Sequence, residues 1–144
     1  MASVFDVAKY ILASTGEITV MKLQKLVYYS QVWSLVWDEE PLFENRIEAW
    51  ANGPVSPSLY ERHRGRFRID SDSFGRGDPK ALSGEQIDTI DTVLEFYGDK
   101  SAQWLSDLTH RERPWQDARG DLEPTERSNA EISLASIHEY YSGL

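Results

Sequence analysis

Met21–Trp37, MKLQKLVYYSQVWSLVW, is the stretch that most restricts how this chain can fold. At 3.6 residues per turn, Met21, Tyr29, Val32, Trp33 and Val36 share one broad face, flanked by Leu26 and Trp37. Gln24, Ser30, Gln31 and Ser34 gather on the other side, with Leu23 and Val27 among them. A helix apolar almost all round is a buried one. The run falls short of the ~20 apolar residues of a membrane span, and Lys22, Lys25, Gln24 and Gln31 also argue against lipid. The pattern therefore predicts a central helix over about 20–37, wrapped by others. Thr19 is placed to cap its start, and the Asp38-Glu39-Glu40-Pro41 run ends it, because Pro41 biases Glu40 away from helical dihedrals.

The elements around it follow from local signals. Ser3 with Asp6 forms a capping box for a first helix carrying Val4, Phe5, Val7, Ala8, Ile11 and Leu12, and Gly16 stops it. Leu42-Phe43 and Ile47–Trp50 are two short apolar pieces, which predict a small extended or hairpin insert near 41–50. Asn52-Gly53-Pro54 is a turn. Ser56-Pro57 launches a short helix through His63. Ile69 to Ala81, rich in Asp, Ser, Gly, Arg and Pro, predicts a long surface loop. Ser83 and Gln86 box the start of a helix running to Tyr97, whose outer face carries Glu85, Asp88, Asp91 and Glu95. Ser101 caps a helix with Trp104, Leu105 and Leu108; Pro114-Trp115 begins another that ends near Gly120; Asp121–Glu131 is irregular; Ser133 caps Leu134–Tyr141. The expected fold class is mainly α: a single compact domain, 1–144, of six or seven helices around the buried central one.

The 144 residues suffice for a real core. Five Trp, seven Tyr and five Phe supply aromatic surface for packing or for a partner. No cysteine is present, which removes disulfides, thiolate metal sites and a cysteine nucleophile. A net charge of −9 disfavours general nucleic-acid or anionic-membrane binding and favours a basic protein partner. MASVFDVAKYIL lacks a basic n-region and a long apolar h-region, so a cytoplasmic location is expected.

No constellation points to catalysis. His63, His110 and His138 lack the i, i+4 spacing of a helical metal site, and there is no G-x-S-x-G elbow around a serine. Gly75-Arg76-Gly77-Asp78 follows no strand and precedes no GK[ST], so it is not a phosphate loop. The expectation is a non-enzyme with no metal and no cofactor. Two electrostatic features stand out instead. Arg62–Arg68, RHRGRFR, is a basic island in an acidic chain: Arg64, Arg66 and Arg68 could contact phosphate while Phe67 stacks on a base, or the arginines could pair with acidic helices nearby. The acidity of the rest favours the second reading. The Asp88, Asp91 and Glu95 face is either simply solvated or a docking surface for a basic protein.

Three pieces carry a family resemblance: Leu23–Tyr29 (LQKLVYY, with Gln31 following), Ile47–Tyr60 (IEAWANGPVSPSLY) and Leu108–Trp115 (LTHRERPW). In this order they resemble the Panacea, or SocA-like, antitoxin domain, known also from phage-associated GepA-like proteins. The matching positions are Lys22, Leu23, Lys25, Leu26, Tyr28, Tyr29, Trp50, Gly53, Pro54, Tyr60, His110, Pro114 and Trp115; Arg64–Ala81 is the least similar region. The resemblance implies an antitoxin of a bacterial or prophage toxin–antitoxin pair, which binds a toxin encoded beside it. One branch of the family instead hands its toxin to the ClpXP protease. The family pattern contains no catalytic residues, and the matching positions look architectural, with Trp50 beneath the Ser56–His63 helix and Pro114-Trp115 locking the last short helix against the central one. A scaffold serving unrelated toxins keeps its core and varies its surface, so the partner-binding candidates lie outside the motif: Trp37, Phe43, Arg64, Arg66, Phe67, Arg68, Asp88, Asp91 and Glu95. Self-association is a further expectation, whereas binding to membrane or nucleic acid is not.

Overall fold

In the computed structural model, which describes residues 2–144, the central helix is α2, Val20–Trp33, preceded by α1, Val4–Thr15. The Thr19 hydroxyl accepts the Lys22 N–H at 3.2 Å and caps α2 as expected. Leu23 through Val32 are all buried, polar members included, so the two faces distinguished by the helical projection are both covered. Past Trp33 the helix widens into a π turn, Ser34–Asp38, and ends at Glu39 in the left-handed conformation, φ 58°. The Ser34 hydroxyl donates to the Glu40 carbonyl at 2.6 Å and folds the exit back onto the turn.

Six further helices follow: α3 Pro57–His63, α4 Ser71–Phe74, α5 Gly84–Tyr97, α6 Ala102–His110, α7 Arg113–Arg119 and α8 Leu134–Ser142. Helices α1, α5, α6 and α8 surround α2. One contiguous core results, to which α1 gives Val4, Val7, Ala8, Ile11 and Leu12, α5 gives Ile90 and Val93, and α8 gives Ile137 and Tyr141. Local capping set these boundaries. The Ser3–Asp6 and Ser83–Gln86 boxes are both closed, and Ser56, Ser101 and Ser133 each accept an N–H three residues on. The fold is mainly α, as the periodicity predicts, and no helix among the described residues is long and apolar enough to cross a membrane.

Two regions differ from the sequence expectation. The hairpin lies further along the chain than residues 41–50. Strand β2, Glu48–Trp50, pairs antiparallel with β3, Gly53–Val55, with Ala49 opposite Pro54. The N-G-P signal therefore includes the returning strand, where Pro54 is tolerated because Ala49 opposite it turns its own N–H to Ala130; the Pro54 carbonyl accepts from Lys25. Residues 130–132 line the other edge of β2 through Ala49 N–H to the Ala130 carbonyl and Ile132 N–H to the Ile47 carbonyl, each 2.8 Å. The 41–47 stretch is extended and puts Leu42, Phe43 and Ile47 in the core.

Ile69–Ala81 is not a free surface loop either. A short strand, β4, Arg68–Ile69, pairs antiparallel with β1, Ile18–Thr19. Asp70 and Ser73 close a capping box that makes α4, which brings the α-helices among the described residues to eight. Buried Phe74 then anchors the segment, Arg76 lies over the Phe5 ring at 4.4 Å, and the Asp78 N–H bonds the Asp6 carboxylate at 2.7 Å. Gly77, φ 96°, passes so close to the Phe5 carbonyl that a Cβ there would stand 2.2 Å from its oxygen. The segment is a strap across α1, built from polar residues because it bonds through its backbone.

Candidate functional site

The motif residues of α2 act as fasteners. Gln24 grips Ser56, its Oε1 accepting the Ser56 N–H at 2.9 Å and its Nε2 donating to the Ser56 carbonyl at 3.2 Å. Those two bonds fix the amide orientation, so the Gln24 Nε2, 3.0 Å from His63 Nε2, donates to it. His63 is then neutral with its proton on Nδ1, in keeping with burial and nearby Lys25, which lower its pKa. Two helical turns on, Gln31 repeats the grip, accepting the Leu42 N–H at 2.7 Å and donating to the Phe43 carbonyl at 2.9 Å. Seven residues at 1.5 Å rise put the two clamps about 10 Å apart, and between them they bind both ends of the 42–56 insert.

Lys25 runs between the clamps, fully buried, with Nζ 3.3 Å from the Pro54 carbonyl. Its Cε would lie 2.5 Å from a Cβ on Gly53, φ 120°, so glycine there serves both the backbone conformation and the lysine passing under it. With no carboxylate beside it, burial pushes the Lys25 ammonium down to about 7 from the ordinary 10.5.

A tyrosine network from Tyr28 and Tyr29, one turn after Gln24 and Lys25, closes on Glu112, the residue before α7. The Tyr29 and Tyr141 hydroxyls both donate to Glu112 Oε1, at 2.5 and 2.7 Å. Since the Tyr141 proton is committed there, Tyr28, 3.1 Å away, donates to the Tyr141 oxygen. Burial raises the Glu112 pKa, the two tyrosine donors only partly offset this, and burial raises all three tyrosines as well. Buried Arg119 in α7 donates to the carbonyls of Ala49, Glu123, Pro124 and Glu126 and lies over the Trp115 ring at 4.8 Å.

Most motif positions are therefore structural. Leu23 and Leu26 are core; Lys22 donates to the Gly98 carbonyl at 2.6 Å, tying α2 to the end of α5. Trp50 meets Tyr60 of α3 edge to face at 4.9 Å, where the sequence put it. Trp115, with buried Pro114 beside it, corrects an expectation. It does not lock α7 against α2: its indole donates to the Trp50 carbonyl at 2.8 Å and its ring lies 4.1 Å from that of His110, so it holds the hairpin. The link from α7 to α2 is Glu112, which no local pattern marks. Local pattern does not mark Gln24, Gln31, Arg119 or Tyr141 as fasteners either; the one hint, for the two glutamines, is a polar residue inside an otherwise apolar run.

The surface candidates do not converge. Phe43 leaves the set: it is 0% exposed, because Gln31 pins its backbone to α2 and turns its ring inward. Phe67 is 75% exposed beside the start of α2, where its carbonyl accepts the Val20 N–H. Arg64 pairs with Glu61 at 3.3 Å and Arg68 with Glu17 at 2.9 Å, whereas Arg66 points out beside them. Trp37 lies at the far end of α2, some 17 residues or about 25 Å away. It is 46% exposed and stacked on Trp33 at 5.1 Å. Asp38, Glu39 and Glu40 follow it in the chain; Asp38, then Glu40, raise the Glu85 pKa by like-charge repulsion, and Glu39 lies 3.1 Å from His138 Nε2. Thr89 of α5 donates to Asp38 at 2.6 Å, so this acidic end runs onto the outer face of α5. There Asp88, Asp91 and Glu95 are exposed, and Asp91 accepts the Tyr10 hydroxyl at 2.6 Å.

No three His, Asp or Glu side chains among the described residues come together as a metal-binding group. Residues 23–116, well over half of the chain, match the family described as Antitoxin SocA-like, Panacea domain. No curated protein and no solved structure matches the chain.

Proposed function

The chain belongs to the SocA-like Panacea antitoxin family, and on that premise we propose that it neutralises a cognate toxin by binding it directly, without a chemical step. The observation that carries this reading is the division of labour around α2. The polar side chains of α2 are spent inward on clamps and hydrogen bonds, while the exposed Trp37, followed in the chain by Asp38, Glu39 and Glu40, stands outside the motif. Tryptophan is a frequent hot-spot residue, and an acidic surround steers a basic partner onto it. The proposed toxin contact is accordingly Trp37 with the Asp88, Asp91 and Glu95 face. A toxin that handles tRNA or nucleotides has the basic surface this face fits.

The test is co-expression with the neighbouring toxin gene. Growth rescue together with a stoichiometric complex on co-purification supports the reading. Rescue without a complex, and only where ClpXP is functional, replaces it with delivery of the toxin to that protease. A second reading, operator binding through the basic tip, rests on exposed Phe67 and Arg66. Charge reversal of Arg64, Arg66 and Arg68 to Glu leaves an operator mobility shift unchanged if the tip does not bind DNA.

A further inference from the structure

A hollow of about 610 Å³ lies between the β2–β3 turn, Tyr60 of α3 and residues 127–129, and it has the size of a small-molecule site. Two aromatic rings form one side, Trp50 and Tyr60, set at 65° to each other. The Trp50 indole N–H is committed to Glu48 and the Ser128 hydroxyl oxygen to the Ala130 N–H. The remaining polar lining is free. The Asn52 and Asn129 carboxamides, the Tyr60 hydroxyl and the Arg127 guanidinium have no hydrogen-bond or ion-pair partner among the described residues. Nearby carboxylates are engaged elsewhere, Glu48 and Glu131 by Arg46 and Glu126 by the Glu123 N–H. The result is a hollow that joins two aromatic rings and two free carboxamides to one unpaired guanidinium, on a chain of net charge −9.

Its walls are also fixed from behind. Trp115 donates to the Trp50 carbonyl, Ser106 to the Asn52 carbonyl, and the Ala49 N–H to the Ala130 carbonyl, each at 2.8 Å. The backbone that carries Trp50, Asn52 and Ala130 is thereby in place before a ligand enters.

We propose that this hollow binds a nucleoside monophosphate, its base against Trp50 and Tyr60 and its phosphate on Arg127. A planar base offers π-faces to the aromatic pair, and its edge alternates donors and acceptors that the two carboxamides can match. The guanidinium fork fits phosphate oxygens two at a time. An acidic peptide would satisfy Arg127 and the carboxamides but, its side chains being carboxylates, would bring no π-face to the two rings. An RNA strand would draw its further phosphates across an acidic protein. The hollow shares no residue with the Trp37 face, so this inference stands or falls independently of the antitoxin reading.

Titration of the full chain with AMP, GMP, CMP and UMP, followed by tryptophan fluorescence and by the amide signals of Asn52 and Asn129, tests it. At least one nucleotide is expected to saturate below about 1 mM. Arg127→Ala is expected to weaken it about tenfold or more, the scale of a lost charge-assisted hydrogen bond, and Arg127→Lys to recover part. Both variants alter an exposed side chain and should keep the wild-type unfolding midpoint. The parent nucleoside should bind as weakly as the Arg127→Ala pair does. Absence of saturation by every nucleotide overturns the proposal, as does affinity indifferent to Arg127→Ala and Asn129→Asp. So does tighter binding of an acidic peptide or a single-stranded RNA than of any mononucleotide.

Discussion

Lys25→Met replaces a buried amine by an apolar chain of similar length, and the structure fixes what should follow. In the unfolded chain the ammonium titrates at its ordinary 10.5, and in the fold burial holds it at about 7. Between those values the unfolded chain binds a proton that the folded chain does not, so stability rises with pH. At 1.36 kcal/mol per pH unit, the lysine costs on the order of 4 kcal/mol at pH 7 and on the order of 2 kcal/mol at pH 9. The lost bond to the Pro54 carbonyl offsets about 1 kcal/mol of the gain on replacement. Lys25→Met should therefore equal or exceed wild-type stability at pH 7. Its advantage should shrink by about 2 kcal/mol on going to pH 9. Guanidinium unfolding followed by circular dichroism at pH 7, 8 and 9, at constant ionic strength, measures both. Parallel profiles for the two proteins would show that Lys25 is charged within the fold, and the account of its burial would fail.

Leu26→Ala should cost about 2–5 kcal/mol, as core truncations do, and should abolish neutralisation only by unfolding; unchanged thermal stability with lost toxin binding would make α2 the interface. Gln31→Leu strands the Leu42 N–H and the Phe43 carbonyl, and about 1–3 kcal/mol for each buried orphan should appear as lower stability and faster exchange of the Leu42 amide. Glu112→Gln keeps an acceptor for Tyr29 and Tyr141 but removes a buried carboxyl whose pKa the fold raises. Such a group adds stability below 4.5 that is lost as pH climbs through its folded value. The variant should thus hold its stability at pH 7 and show a flatter profile above pH 4.5, and a loss of more than about 2 kcal/mol at pH 7 would contradict it. Trp37→Ala should leave the fold intact and weaken the toxin complex by about 2 kcal/mol or more, read by calorimetry.

What the sequence conveyed well was local. Six caps, at Ser3, Thr19, Ser56, Ser83, Ser101 and Ser133, are three-residue events and could be read directly. The all-round apolarity of Met21–Trp37 likewise announced a buried helix. The clamps could not be read, because Gln24 meets Ser56 at a separation of 32 residues and Tyr29 meets Glu112 at 83. Nothing near Phe43 shows that a glutamine on another element will turn its ring inward. Exposed candidates fared unevenly for the same reason: Trp37 and Phe67 are on the surface and Phe43 is not. Only the path of the backbone separates them.

The Gln24 and Gln31 grips have a consequence for how the 42–56 segment can change. Each carboxamide takes hold of an N–H and a C=O of the segment, groups every residue but proline supplies, and neither inspects a side chain of the segment itself. The insert is moored by its main chain, so its outward residues, Glu44 and Arg46 among them, can be exchanged without loosening the mooring. A segment fastened in this way works like an interchangeable cartridge, in which new surface chemistry can be tried while the helix that holds it stays as it is.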